Sequence, residues 1–258
     1  MQNAIFSMDS AKAIKAKEYG FLNGIHYLAP ANLSGFNLCS HASAGCIKLC
    51  LGWESGQASM VKNDADINSV RKSRIQKAQR FMRDRAAYLL DVIRSIDNAI
   101  AKAGKVDLML CLRMNGASDI AFEGIRFTIE RSAKGKAVKV SLGGTDAKNI
   151  FDHYPAIPFV DYTKNPKRFD RALPANYHLT FSRSETNESV ALELLARGIN
   201  VAIVFETVPA QWNGFAVIDG DKHDLRQLDP RGAIGTVIGL LPKGRKAKRD
   251  TSGFVVRD

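Results

Sequence analysis

Short apolar runs that alternate with amphipathic stretches from residue 104 onward constrain the fold most strongly. The runs predicted as strands lie at residues 106–114, 137–142, 157–163, 177–182, 199–206, 214–220 and 233–240. The stretches predicted as helices lie at residues 120–133, 165–173 and 184–198. Apolar strands separated by helices are typical of a parallel sheet covered by helices. The sequence therefore predicts an α/β fold with a complete or partial parallel (β/α) barrel, and an open doubly wound sheet is the alternative.

A single domain accounts for all 258 residues, because no repeat, low-complexity segment or long Pro/Gly/Ser linker divides the chain. Apolar residues at near-helical spacing, among them Ile75, Phe81 and Ile93, predict helix over residues 68–103, and Gly104 ends the pattern. The parts are an N-terminal segment (1–34), a cysteine loop (35–53), a helical region (68–103), the β/α units (104–241) and a basic tail (242–258).

Charge and hydropathy indicate where the chain acts. No apolar run approaches the ~18–20 residues that a bilayer span needs, and the first residues lack the apolar core of a secretory signal. We therefore expect a cytoplasmic protein that does not enter a membrane. The 37 Lys and Arg residues against 26 Asp and Glu residues give a net charge of +11. Such a charge attracts polyanions, and basic clusters at residues 70–85 and 242–250 are either solvated surface or contacts for nucleic-acid phosphates.

Three of the four cysteines fall within the short sequence CSHASAGCIKLC. Cys39, Cys46 and Cys50 follow a C-x6-C-x3-C spacing in a glycine-containing segment. Clustered thiols in a reducing compartment are more often metal ligands or catalytic groups than disulfides. Zinc prefers four ligands, usually in paired C-x2-C units, which this chain lacks. An iron–sulfur cluster of the 4Fe–4S type is the leading interpretation. Zinc and metal-free cysteines are the alternatives.

Two other residues are candidates for a fourth ligand of that metal centre. His41 lies inside the cysteine loop, and Cys111 lies inside the predicted strand 106–114. A lone cysteine in an apolar strand is more often a small buried residue than a ligand. The sequence leaves both candidates open.

Polar side chains follow several predicted strands, at the edge where the loops of a parallel α/β sheet converge. We expect them to line a cavity that takes a small anionic ligand. The predicted catalytic residues are Arg113, Asp119 and Lys164. The predicted ligand- or cofactor-binding residues are Asn115, Ser118, Asp161, Arg183 and Glu206. Arg113 could clamp a carboxylate or phosphate with Asp119 beside it, and a structural Arg–Asp pair that pins the loop is the alternative.

Four segments carry a resemblance to a known family. They are NLCSHASAGCIKLCLG (37–52), LRMNGASDI (112–120), FVDYTKNPKRF (159–169) and YHLTFSRSET (177–186). With the C-terminal residues 224–256, they resemble the phage gene product 88 family over almost the whole chain from residue 35. The resemblance implies a bacteriophage or prophage protein with an iron–sulfur site at the cysteine loop.

The three-cysteine loop on a barrel is also similar to the radical S-adenosylmethionine enzymes. Their spacing is C-x3-C-x2-C, and the departure here weakens S-adenosylmethionine binding more than it weakens cluster binding. Two hypotheses follow. The first is a phage-encoded iron–sulfur protein, a redox or radical-S-adenosylmethionine-like enzyme that acts on a small anionic ligand. The alternative is a non-catalytic nucleic-acid-binding accessory protein with a structural metal site.

Overall fold

A ten-stranded sheet forms the centre of the structure. The computed structural model describes residues 4–257, without the side chains of residues 11 and 12; residues 1–3 and 258 of the predicted domain lie outside the described residues. The strands are β1 (Phe6–Ser7), β2 (Phe21–His26), β3 (Met109–Arg113), β4 (Phe127–Arg131), β5 (Ala137–Leu142), β6 (Phe159–Thr163), β7 (Tyr177–Ser182), β8 (Val201–Phe205), β9 (Gln211–Trp212), β10 (Phe215–Asp219), β11 (Val237–Leu240) and β12 (Val255–Val256). The α-helices are α1 (Ala11–Lys15), α2 (Ala44–Lys48), α3 (Leu51–Glu54), α4 (Ser69–Arg83), α5 (Arg85–Lys105), α6 (Ile150–His153), α7 (Glu188–Ala196) and α8 (Arg245–Lys248).

The order of the strands in the sheet follows the sequence from β2 to β8. The order is β1-β2-β3-β6-β7-β8-β11-β10-β9, with β12 paired beside β8. Every pairing from β2 to β10 along this path is parallel, and only β1 and β9 pair antiparallel with their neighbours. The prediction of an α/β domain with a mostly parallel sheet is therefore confirmed. Among residues 4–257, β1 and β9 do not pair with each other, so closure into a barrel is not shown.

Two helices occupy the predicted helical region 68–103. The Asn68 side chain caps α4 by accepting a hydrogen bond from the Arg71 N–H, and the Asp84 side chain caps α5 through the Ala87 N–H. Asp84 leaves the helical conformation, which separates α4 from α5. The buried face of α5 packs on β2, β3 and β5. None of the helices in the described part of the chain is both long and apolar enough to cross a membrane.

The prediction of a helix over residues 120–133 is wrong. This region contains a 3₁₀ turn, Phe122–Gly124, followed by β4, which pairs antiparallel with β5 in a separate two-stranded sheet. Ile125, Phe127 and Ile129 alternate with polar residues, which is the period of a strand. The charged residues between them imitate the polar face of a helix.

Other element boundaries also differ from the sequence predictions. The predicted helix 184–198 begins only at Glu188, because Asn187 accepts a hydrogen bond from the Ser184 N–H in a preceding turn. The N-terminal segment 1–34 contributes β1 and β2. Within the predicted basic tail, residues 242–257 are part of the fold, because they contain α8 and β12 and Val255 pairs with Val204 of β8.

Residues 221–231, which we call the strap, cover the face of the sheet opposite α5. Leu225 of the strap is buried against Phe21, Cys111 and Val160. Successive residues of a strand point to opposite faces, and Leu22, which follows Phe21, packs in the core that contains α5. The two faces of the sheet are thus covered by different parts of the chain.

Candidate metal centre

The cysteine segment, residues 35–53, contains two short helices and is not the irregular loop expected from its sequence. Cys46 lies in α2, where its N–H donates to the Ser43 hydroxyl at 3.2 Å. Cys50 immediately precedes α3, and Cys39 lies in a turn before α2. All three thiols are free, and all three residues are partly buried. The segment therefore holds its cysteines in a defined local structure.

Loops at the carboxyl ends of β3 and β7 hold the cysteine segment. The Cys39 thiol lies 3.6 Å from the carbonyl oxygen of Ala117, in the loop after β3. Glu185, in the loop after β7, accepts hydrogen bonds from the Ser43 hydroxyl at 2.8 Å and the Gly45 N–H at 2.7 Å. The cysteine segment thus lies at the carboxyl edge of the parallel sheet, where α/β proteins place their functional sites.

Two glycines allow this close approach. A Cβ atom on Gly52 would lie 2.1 Å from the Cβ atom of Ala117, and one on Gly45 would lie 2.8 Å from both Glu185 carboxylate oxygens. Both distances are shorter than any real contact between such atoms. Gly45 and Gly52 are therefore required for the contact of the segment with the sheet loops.

The three thiols lie within electrostatic reach of one another. Burial, with a smaller contribution from the Cys46 thiol, raises the pKa of Cys39 to about 11 and the pKa of Cys50 to about 12. Lys164 opposes this effect on the pKa of Cys39, and Arg74 opposes it on the pKa of Cys50. Binding of a cationic centre would take these groups as thiolates and release their protons.

The chemistry of this donor set fits an iron–sulfur cluster. A 4Fe–4S cluster binds each cysteine through a different iron, so its ligands surround a volume. A zinc ion instead needs about four donors within ~2.0–2.3 Å of one point. Within residues 4–257, no group of three or more His, Cys, Asp or Glu side chains is placed so that it could hold a metal ion. The thiols of Cys39, Cys46 and Cys50 are the donor type in this segment that iron–sulfur clusters use.

The two candidates for a fourth ligand have other contacts. The Cys111 thiol is buried in β3 and lies 3.6 Å from the Gln227 side-chain oxygen on the strap. Burial, followed by the charge of Asp224, raises the pKa of Cys111. The exposed His41 ring lies 3.0 Å from the Ser40 hydroxyl. Cys111 therefore belongs to the sheet face covered by the strap.

Asp119 and Lys164 lie beside Cys39 at the carboxyl edge. The Asp119 carboxylate accepts hydrogen bonds from the Lys164 N–H at 2.9 Å and from the Arg168 guanidinium at 3.0 Å. The Lys164 ammonium donates to the Ser182 hydroxyl at 2.6 Å. Asp119 raises the pKa of Cys39 and Lys164 lowers it. The structure thus brings two of the three predicted catalytic residues to the cysteine segment.

Asn115, Ser118 and Asp161 form a buried hydrogen-bond network beneath this edge. Asp161 accepts hydrogen bonds from the Asn115 N–H at 2.7 Å, the Asn115 side-chain amide at 3.0 Å and the Tyr177 hydroxyl at 3.0 Å. The Ser118 hydroxyl donates to the Asn115 side-chain oxygen at 2.9 Å. Burial raises the pKa of Asp161 to about 6. The network fixes the loop that carries Ala117, so these residues position the cysteine segment.

Arg113 faces the strap and does not pair with Asp119. Its guanidinium lies 2.9 Å from the Asp224 carboxylate and 4.6 Å from the centre of the Tyr162 ring. The Tyr162 hydroxyl donates to the same carboxylate at 3.1 Å. Burial by itself lowers the pKa of Arg113, but the negative charge of Asp224 outweighs burial and raises that pKa above its ordinary value. The Arg–Asp pair considered from the sequence therefore has Asp224 of the strap as its acid.

Arg183 and Glu206 hold the C-terminal residues against the sheet. The Arg183 guanidinium lies 2.6 Å from the Glu188 carboxylate and donates to the Gly253 carbonyl oxygen. Glu206 is exposed and forms an ion pair with Arg257. These two predicted ligand-binding residues thus take part in closing the fold around β8 and β12.

Much of the predicted basic surface is used within the protein. Cation–π contacts engage Arg71, Arg74, Arg83 and Arg85, and ion pairs engage Arg80, Lys243 and Lys246.

The sequence did not lead us to select Arg168, Glu185 or Asp224 as site residues. Each of them lies inside a segment that carries the family resemblance, which is the signal that could have identified them.

Comparison with protein families now adds an independent observation. A family model described as Gene product 88 matches residues 4–258. The chain belongs to the Gene product 88 family. This membership confirms the resemblance that the sequence motifs carry. Comparisons of this Gene product 88 member with curated proteins and with solved structures give no match.

Proposed function

We propose that this Gene product 88 protein binds a 4Fe–4S cluster through Cys39, Cys46 and Cys50, next to a site for a small anionic ligand. One observation carries the proposal. Three free thiols of a single segment lie within electrostatic reach of one another at the carboxyl edge of a parallel sheet. Three cysteine ligands would leave one iron open to a further ligand. From β2 to β8 the parallel strands lie side by side in sequence order, which also supports a partial (β/α) barrel as the scaffold.

We propose a redox role for the bound cluster, with an anion held beside it. When bound, the cluster would supply one-electron transfer and a Lewis-acidic iron. The Lys164 ammonium near Cys39 favours an anion at the same edge, and Asp119 fixes the backbone of Lys164. A redox reaction, or one that uses S-adenosylmethionine at the open iron, is the enzymatic chemistry proposed for this arrangement.

Visible absorption of the anaerobically purified protein tests the proposal. We expect a broad band near ~400 nm from iron–sulfur charge transfer. Cys39→Ser, Cys46→Ser and Cys50→Ser should each lose most of the band, whereas Cys111→Ser should keep it and serves as the control. A change of the band on addition of S-adenosylmethionine would support cofactor binding. A full band in Cys46→Ser would contradict the ligand assignment.

Nucleic-acid binding by an accessory protein is the alternative function. Arg245, Lys248 and Arg249 are exposed in or beside α8, where they could contact phosphates. Such binding would weaken steeply with salt, because it releases counterions. Replacement of these three residues by glutamine should then reduce the salt dependence. A parent protein that does not bind DNA or RNA at low salt would exclude this alternative.

A further inference from the structure

A cavity of about 790 Å³ opens at the carboxyl ends of β8 and β11. This volume lies within the range of about 300–1,000 Å³ that small-molecule sites occupy. Its walls come from α1, the loop after β8, the strap and the residues around α8. Lys246 of α8 pairs with Glu54 of α3 at 3.0 Å, and α3 directly follows Cys50. The cavity is therefore a neighbour of the cysteine segment.

Three lysines line this cavity together with two carboxylates. They are Lys15, Lys243 and Lys248, facing Asp221 and Glu206. Both carboxylates are already neutralised, Asp221 by Lys243 and Glu206 by Arg257. Asp221 also accepts a hydrogen bond from the Leu241 N–H at 2.9 Å. The charges of Lys15 and Lys248 are thus in excess at the cavity.

The positions of these two lysines favour an anion held from two sides. Lys15 lies in α1 and Lys248 lies at the end of α8, so they reach the cavity from separate parts of the chain. The Lys15 ammonium donates to the Asp221 backbone oxygen at 3.3 Å, which uses one of its three N–H groups. Ammonium groups bind phosphate as point charges, whereas a planar carboxylate is better matched by an arginine fork. Leu241 and Pro242 add an apolar part to the lining.

We propose that this cavity binds a small organic phosphate, with the phosphoryl group between Lys15 and Lys248 and the apolar part of the molecule against Leu241 and Pro242. The inference goes beyond the proposed function, because the lining of this cavity includes neither Asp119 nor Lys164. The carboxyl edge of the strands is also where parallel (β/α) scaffolds bind phosphate.

Isothermal titration calorimetry with pyrophosphate and with adenosine diphosphate tests this site. The Lys15→Gln/Lys248→Gln protein should lose at least about tenfold in affinity for both probes. The matched control is Lys17→Gln/Lys222→Gln, which removes two charges from neighbouring exposed positions that do not line the cavity. The control should bind as the parent protein does. Equal losses in both variants, or no binding by the parent protein at about 1 mM of either probe, would overturn the proposal.

Further measurements separate this site from nucleic-acid binding and from the cluster. A salt-sensitive affinity for single-stranded DNA without binding of either probe would overturn the organic-phosphate site in favour of polynucleotide contact. Iron content should be the same in the parent protein and in both lysine variants. A colourless protein that binds pyrophosphate would contradict the proposed cluster but not the phosphate site. A brown protein that binds neither probe would contradict the phosphate site but not the cluster.

Discussion

Removal of the Glu185 carboxylate is expected to release the cysteine segment from the sheet. Glu185 accepts hydrogen bonds of 2.8 Å from the Ser43 hydroxyl and 2.7 Å from the Gly45 N–H. Hydrogen bonds to charged groups contribute about 1.5–3 kcal/mol each. Because Glu185 is only partly buried, the lower value applies, and Glu185→Ala should cost about 3 kcal/mol. This cost makes local opening of the segment about 100-fold more frequent.

Amide hydrogen exchange measures that opening directly. In Glu185→Ala, the amides of Gly45 and Cys46 should exchange about 100-fold faster than in the parent protein, and α5 should keep its protection. Glu193→Ala is the matched control, since Glu193 is an exposed glutamate of α7 whose partner is Arg197. Unchanged exchange at Gly45, or the same increase in the control, would refute the role given to Glu185.

Three other changes test further parts of the structure. Burial lowers the pKa of His26 to about 3, so stability should be complete above its unfolded pKa of about 6.5 and fall as the pH drops toward 3. Urea unfolding at several pH values should show this fall, and His26→Phe should flatten it. Arg113→Lys should lower the free energy of unfolding by about 1–3 kcal/mol, because it loses the guanidinium contacts with the Asp224 carboxylate and the Asn115 carbonyl oxygen; unchanged stability or lost iron would contradict this. Asn23→Leu should not lower the free energy of unfolding, because the buried Asn23 amide has no hydrogen-bond partner among the described residues. A loss above about 2 kcal/mol would contradict this.

The parallel strands were predictable because their signal is local. The prediction for residues 177–182 coincides with β7, and that for residues 157–163 contains β6. The N-terminal strand β2 was missed because Asn23 and Gly24 interrupt its apolar run. A Cβ atom on Gly24 would lie 2.8 Å from a Leu112 methyl carbon, so tertiary packing selects that glycine.

The place of the cysteine segment followed from the sequence, but its contacts did not. The strand-end rule puts the residues after β3, β6 and β7 at one edge, and Asp119 and Lys164 lie there together. Arg113 pairs with Asp224, which is 111 residues away in the sequence. The contact between Glu185 and Gly45 spans 140 residues. Pairs at such separations depend on how the strap and the cysteine segment fold over the sheet, which no local pattern specifies.

The iron and acid-labile sulfide content of the anaerobically purified protein tests the central claim most directly. The proposed cluster predicts iron and sulfide in equal amounts, about four of each per chain when loading is complete. A variant with serine at Cys39, Cys46 and Cys50 should lose both, while Cys111→Ser should keep both. Zinc without sulfide in the parent protein, or iron and sulfide that persist in the triple variant, would contradict the account.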